Sequence, residues 1–460
     1  MTHYTIQYRT VYATLISILL FTTSCTNLIE VDLPTDKIDK SEVFNDMATT
    51  KAALNNLYLD FYSSSIFSKA NNGASFNLSL FTDELDFYGT NSSTKDMYEN
   101  NISDIHSNIT SWWNTSYQNI YSINSFIEGV SNSSYLNSDL KRPLLGEAYT
   151  LRALYFHYLS ILYGDIPYTT STNYSYNKSL NKMPYQEVLL QIESDLNKAI
   201  DLLDYSYRDP NKFYINKAVT QSILIENYIF QEQYNKAEQI SRLILNQNLY
   251  EIEENLSRTF KKDSKSTIWQ ISPKFASNIT QEASLYLFSN FTRYSATITD
   301  NLLNLFQDHD KRKQDWLQKI TLSNQEFYQV YKYKNQHNNT DEFSVFYRIE
   351  QTYFHLAYSL AMQGDVKQAI ETLNLLRQKR GLDNLPLNLS KLEFTTNYLE
   401  EGTREFFTEN ARRFIDLKIT NRLNDIKLTK TNLQPYHNLL PIPFRQIEIN
   451  KNLLPNNPGY

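Results

Sequence analysis

Residues that interrupt a helix are scarce in this chain. Its 460 residues include 9 glycines and 12 prolines, both well below ordinary usage of about 7% and 5%. So few breakers favour long helices over a many-stranded sandwich. Cysteine occurs once, at Cys25, which excludes an intramolecular disulfide. Excess positive charge is missing too. The net charge is -6, so the chain lacks the electrostatic footprint of a nucleic-acid binder. Catalytic patterns are absent as well: the 7 histidines show no HExxH or clustered spacing, which leaves a metal site or histidine-based catalysis without support. No Ser-His-Asp ordering, glycine-rich phosphate loop or Cys-His pair occurs. What the chain does have is aromatic residues, 14% of the total, with 35 tyrosines. Tyrosine supplies rigid area with a polar tip, which suits helix packing and binding surfaces alike. Packing is the expected use of most of them.

The apolar stretch from Val11 to Phe21 is too short to cross a bilayer, which takes about 20 residues. Arg9 and the amino terminus give it a modestly positive start, and Thr22-Thr23-Ser24 place small residues before Cys25. This reads as a lipoprotein signal peptide over 1–24, cleaved before Cys25, whose thiol is then lipidated. Several acyl chains together anchor stably where one does not. Thr22 stands where lipoproteins usually carry a bulky apolar residue; the alternative is an ordinary secretory signal with an incidental cysteine. A lipidated tether occupies 25–40, and apart from that lipid no cofactor is expected.

From Ser41 the pattern becomes helical. Leu144, Ala148, Leu151, Tyr155, Leu159 and Leu162 recur at steps of three and four, an amphipathic helix that stops at Gly164-Asp165 with Pro167 beyond. Val188, Ile192, Leu196, Ala199 and Leu203 give it a partner starting near Pro184. A second pair runs through Val219, Ile223, Leu224 and Tyr228, then Tyr234, Ala237, Ile240 and Ile244. A third runs through Ile349, Tyr353, Leu356 and Leu360, turns at Gly364-Asp365, and continues with Ala369, Leu373 and Leu376. Aligning the second and third turns superposes Tyr234 on Val366 and Ala237 on Ala369. These read as degenerate tetratricopeptide units, whose stacking buries one continuous apolar stripe. The expected fold is mainly α, a single domain over 41–460 built on about four helix pairs, with irregular or short-strand insertions near 60–110 and 250–345.

The carboxyl terminus is unusual for a chain end, which normally frays. Leu439-Leu440-Pro441-Ile442-Pro443, then Ile447, Ile449 and Leu453, then Asn456-Asn457-Pro458-Gly459-Tyr460 form a stiff, apolar segment that should dock. This LLPIP…NPGY tail resembles the carboxyl terminus of the SusD/RagB family. The resemblance extends along most of the chain, through Trp112…Tyr117…Ile120…Asn124…Ile127, Arg152-Ala153-Leu154-Tyr155-Phe156…Leu162-Tyr163-Gly164-Asp165-Ile166-Pro167, Arg348-Ile349-Glu350, and Arg404-Glu405-Phe406-Phe407…Glu409…Arg412-Arg413-Phe414-Ile415-Asp416-Leu417. Asn410 departs from that last pattern, standing where a glycine is usual. The resemblance implies a non-catalytic lipoprotein of the outer membrane. It would bind a nutrient, an oligosaccharide or less readily a peptide, and deliver it to a SusC-like TonB-dependent barrel transporter.

By the same resemblance, the two insertions build the ligand-facing surface. Sugar recognition needs aromatic faces for C–H-rich sugar faces, with amides and charged groups for the hydroxyls. The candidates are Asp83, Asp86, Phe87, Tyr88 and Asn91 in the first insertion, and Phe275, Tyr286, Phe288, Phe291, Arg293 and Tyr294 in the second. For each aromatic the competing role is packing under a long loop. Trp269, in an alternating strand-like run, is expected in the core; Trp112 is expected in the core and Trp113 at the surface, since neighbours on a helix point about 100° apart. The run Asp310 to Asp315 is expected as a solvated helix face. Asp83-Glu84…Asp86 could mimic a glycosidase carboxylate pair, but without a cleft-forming strand pattern. Beside the binding lipoprotein stand an interaction scaffold that binds only the barrel, and a hydrolase.

Overall fold

A computed structural model describes residues 42–63, 66–271 and 278–460. The signal segment 1–24, the tether 25–40 with Cys25, and the candidate Phe275 lie outside the described residues. The helical patterns become α1 (Met47–Ser63), α2 (Ala74–Phe81), α3 (Ser92–Tyr98), α4 (Ser107–Asn132), α5 (Ser138–Tyr163), α6 (Tyr185–Leu202), α7 (Lys217–Phe230), α8 (Tyr234–Leu245), α9 (Ile349–Met362), α10 (Val366–Lys379), α11 (Lys391–Phe406) and α12 (Arg412–Ile419). Short polar residues start several of them. The side chains of Asn137, Asn216 and Asp365 accept from the backbone N–H of Leu140, Val219 and Gln368 at 3.0, 3.1 and 3.0 Å. These caps satisfy donors that the first turn of a helix leaves without partners.

Helix α5 packs on α6, α7 on α8 and α9 on α10, and the pairs stack through α6 on α7 and α8 on α9. Helices α1 and α4 supply a further, looser pair beside α5. The fold is a tetratricopeptide-like helical scaffold. The alignment read from the sequence holds at the level of dihedral angles. Tyr234 and Val366 each open a helix, preceded by Gln233 (φ −89°, ψ 60°) and Asp365 (φ −86°, ψ 64°). One residue earlier, Glu232 and Gly364 both take positive φ. Ala237 and Ala369 are both buried, and their small side chains let the paired helices approach.

The chain leaves this scaffold twice. The first excursion holds α2, β1 (Leu85–Phe87) and α3. The second, between α8 and α9, holds β2 (Thr267–Ile271), β3 (Ala296–Ile298), β4 (Leu317–Leu322), β5 (Gln325–Val330) and β6 (Ser344–Arg348), with short helices at Gln281–Tyr286, Asp300–Leu305 and Lys311–Asp315. The strands pair antiparallel as β1–β3, β2–β6 and β4–β5. The first of these ladders, Leu85↔Ile298 to Phe87↔Ala296, ties the two insertions together. They share an apolar core that includes Phe76, Leu80, Leu85, Tyr286, Trp316 and Phe407. Trp269 on β2 is core, as its alternating run predicts, with the rings of Phe61 and Phe346 at 5.1 and 4.9 Å.

The tail docks. The Leu440 N–H donates to the Leu162 carbonyl at 2.7 Å, and Asn457 Nδ2 donates to the Tyr163 and Leu440 carbonyls at 2.8 and 2.6 Å. Asn456 closes the loop by accepting from the Ile442 N–H at 2.8 Å. The LLPIP…NPGY segment and the Leu162-Tyr163-Gly164 end of α5, distant in sequence, are therefore two halves of one contact.

Two expectations fail here. Trp113 is not at the surface; it is buried, with the rings of Tyr117 and Tyr163 each 5.0 Å away. Trp112 is buried on another side of α4, donating to the Asn72 carbonyl at 2.7 Å. The run Asp310 to Asp315 is not a solvated face either, because Asp310 and Arg312 are 0% exposed. Arg312 reaches Asp310, Glu401 and Glu405 at 2.8, 2.7 and 2.9 Å, while Arg348 and Arg380 converge on Glu350 and Glu405. Unpaired buried charge is prohibitive, so these groups are buried as a closed network beneath α11.

Candidate functional site

Pairing continues past the ends of β1 and β3. The Tyr88 N–H donates to the Ser295 carbonyl at 2.9 Å, and the Thr90 and Asn91 N–H groups donate to the Arg293 carbonyl at 3.0 and 3.2 Å. Residues 88–91 thereby run alongside 291–295. Strand β5 packs on β3 and returns from β4 through Ser323-Asn324, both at positive φ, as a two-residue hairpin turn requires. The hairpin brings Phe327 to the same place. The rings of Tyr88 and Phe291 lie nearly parallel, 5.5 Å and 21° apart. Phe327 stands edge-on to both, at 5.0 and 5.6 Å, and Phe288 lies 6.5 Å from Phe291.

Tyr88 and Phe291 are each 42% exposed. Aromatic area held rigidly at a surface can take the apolar face of a ligand without an ordering cost in the protein. Burial first, and Asp86 second, raise the Tyr88 hydroxyl above its ordinary value, so it stays a neutral hydrogen-bonding group at physiological pH. Arg293 is exposed, with its guanidinium 5.7 Å from the Tyr294 ring. Tyr294 in turn lines a cleft of about 390 Å³ together with Asn71, Gln281, Ser284 and Thr292.

The remaining candidates are drawn into the structure. Tyr286 is a correction: it is 3% exposed in the insertion core, with Phe76 at 6.1 Å, because the apolar side of its short helix faces inward. Phe87 packs against the same core. Asn91 caps α3 by accepting from the Thr94 N–H at 2.9 Å. Asp83 accepts both arms of Arg413 at 2.8 Å; burial alone would raise its pKa, and the guanidinium holds it below the usual carboxylate range. Asp86 accepts from the Tyr98 hydroxyl at 3.0 Å, and Glu84 is buried, which pushes it up to about 7. Asp83 is thus tied to Arg413 and Asp86 to Tyr98, while Glu84 is buried beside Asp83 and Arg413.

Phe327 is the residue that the sequence reading missed. Its signal was present as Ile320-Thr321-Leu322-Ser323-Asn324-Gln325-Glu326-Phe327-Tyr328, two β-prone runs about a Ser-Asn turn. A second titratable cluster lies in the helical core. His157 meets Glu226 at 3.0 Å, and Arg412 bonds Glu226 and Asp416. Burial would raise Glu226, but Arg412 and hydrogen bonds from His157 and His355 hold it well below its usual value. Among the described residues, no group of His, Cys, Asp or Glu could hold a metal ion, and no helix is long and apolar enough to cross a membrane.

Residues 34–229 match a SusD-like family model described as starch-binding and associating with the outer membrane. A SusD-like protein P2 of Formosa agariphila is 23% identical over 97% of this chain and 99% of its own length. Among solved structures, a SusD superfamily protein from Bacteroides vulgatus superposes with a TM-score of 0.79 at 18% identity, over 90% of this chain and 99% of its own. A laminarin-binding SusD-like protein superposes at 0.77, also at 18% identity and with the same coverage. At that identity the structures speak for the fold. The amino-terminal family match, the end-to-end alignment and the shared scaffold agree: the chain is similar to SusD-like proteins along almost its whole length and shares their fold.

Proposed function

We propose that the protein binds an oligosaccharide at the outer membrane and delivers it to a SusC-like TonB-dependent barrel transporter, with lipid on Cys25 as its anchor and no chemistry of its own. The observation that carries the reading is the exposed, stacked Tyr88–Phe291 pair buttressed by Phe327. A sugar ring presents a face of C–H bonds that fits such a platform, while Arg293 and the cleft beside Tyr294 offer groups for its hydroxyls. The starch-binding character of the matching family and the laminarin binding of one structural neighbour support a glycan over a peptide. The lipobox-like run before Cys25 supports the anchor.

Calorimetric titration of the purified protein with panels of oligosaccharides and oligopeptides tests the reading. Saturable heat with an oligosaccharide is expected, weakened about tenfold or more in Tyr88→Ala, since each lost 1.4 kcal/mol is a factor of ten. Heat with peptides alone, or none with either panel, contradicts it.

A further inference from the structure

Arg293 is placed between two features that the sequence could not show to be adjacent. Phe291, two residues before it, is part of the aromatic platform. Thr292 and Tyr294, its immediate neighbours, line the 390 Å³ cleft. Its backbone is held by the two N–H donors of Thr90 and Asn91, so the side chain projects from a fixed position at the junction. The guanidinium lies 5.7 Å from the centre of the Tyr294 ring, which itself lines the cleft. Among the described residues, no carboxylate stands within ion-pair distance of it, whereas Lys319 of the β4–β5 hairpin is paired with Glu326 at 2.8 Å. The carboxylates closest in effect, Asp86 and Asp300, bear on the Tyr88 hydroxyl, at the platform.

We infer that the preferred ligand is an acidic glycan, whose carboxylate or sulfate group is taken by Arg293 where the platform meets the cleft. A planar guanidinium matches both oxyanions with two parallel hydrogen bonds, and stacking on Tyr294 pre-orients it. A neutral chain would leave that fork with hydroxyls alone. The negative groups near Tyr88 favour a neutral sugar on the platform, so the acidic unit belongs on the cleft side. This inference rests on the proposed glycan-binding surface and adds the class of sugar.

The test is calorimetric titration of the purified protein with three oligosaccharides of similar length: a neutral β-glucan oligomer, a uronic-acid oligomer and a sulfated galactan oligomer. Each is run against the wild type, Arg293→Gln, Arg293→Lys and Tyr88→Ala, with melting curves as a folding control. One charged arm is expected to bind about tenfold or more tighter than the neutral arm, in keeping with the strength of charge-assisted hydrogen bonds. Arg293→Gln should remove that preference and its salt dependence, bringing the charged arm down to the level of the neutral one, and Arg293→Lys should keep part of it. Which charged arm wins distinguishes carboxylate from sulfate. Equal binding of all three arms, or a charge preference untouched by Arg293→Gln, overturns the inference while the platform stands if Tyr88→Ala still weakens binding. Binding unaffected by Tyr88→Ala, or no binding in any arm, overturns the platform and the inference with it.

Discussion

Replacing Glu405 by Gln should be among the most damaging isosteric changes in this protein. The side chain is 0% exposed and accepts from Arg312 Nη1 at 2.9 Å, Arg348 Nη1 at 2.6 Å, and Arg380 Nε and Nη2 at 3.0 and 2.8 Å. Burial by itself would raise its pKa; Arg380 and Arg348 hold it well below the usual range. Glutamine keeps the volume but presents an NH₂ group to donors, and it leaves a buried positive charge uncompensated. Breaking a buried ion pair from one side costs about 3–5 kcal/mol. Spread over the unfolding entropy of a domain of roughly 400 residues, that lowers Tm by about 4–6 °C. Differential scanning calorimetry reads the shift directly. Glu326→Gln is the control: it removes an exposed partner of Lys319 and should leave Tm where it was. Equal melting temperatures for the two variants would refute the claim that these buried charges depend on one another for their burial.

Three further outcomes follow from the same physical picture. Glu401 is held down to about 2 against an ordinary 4.5, despite burial, by Arg312, Arg404 and Arg377. A depressed carboxylate contributes stability that is complete above pH 4.5 and lost as pH falls toward 2, so the urea midpoint should fall steeply across that window; in Glu401→Gln that slope should flatten, and an unchanged slope would contradict the assignment. Asn457→Ala strips the Tyr163 and Leu440 carbonyls of their donor and should cost about 1–3 kcal/mol, measured by chemical denaturation; no loss would mean the tail is not docked as described. Cys25→Ala should move the protein from membranes to the soluble fraction, and continued membrane association would rule out the lipid anchor.

The scaffold was legible because its signal is local. The three- and four-residue spacing from Leu144 to Leu162 and the paired turns at Gln233 and Asp365 need no knowledge of distant contacts, and both appear as expected. Charge burial was not legible. Asp310 and Arg312 look like surface residues in any window of the sequence; only the convergence of Glu401 and Glu405 from α11 makes their burial affordable. The candidate site lies between these cases. Tyr88 and Phe291 could be nominated from aromatic content in the insertions, but nothing local distinguishes them from Tyr286, which the same insertion turns into its core. What separates them is the β1–β3 ladder, a pairing between segments on opposite sides of the helical repeats. Phe327 enters through a hairpin whose turn was readable and whose packing partner was not.

The stacked rings of Tyr88 and Phe291 are the proposed seat of the sugar. A crystal structure of the protein soaked with the tightest-binding oligosaccharide from the titrations tests it most directly. A sugar ring is expected to lie flat against Tyr88 or Phe291, with the chain running past Arg293 toward Tyr294. A sugar bound elsewhere on the surface, with these rings bare, would contradict it.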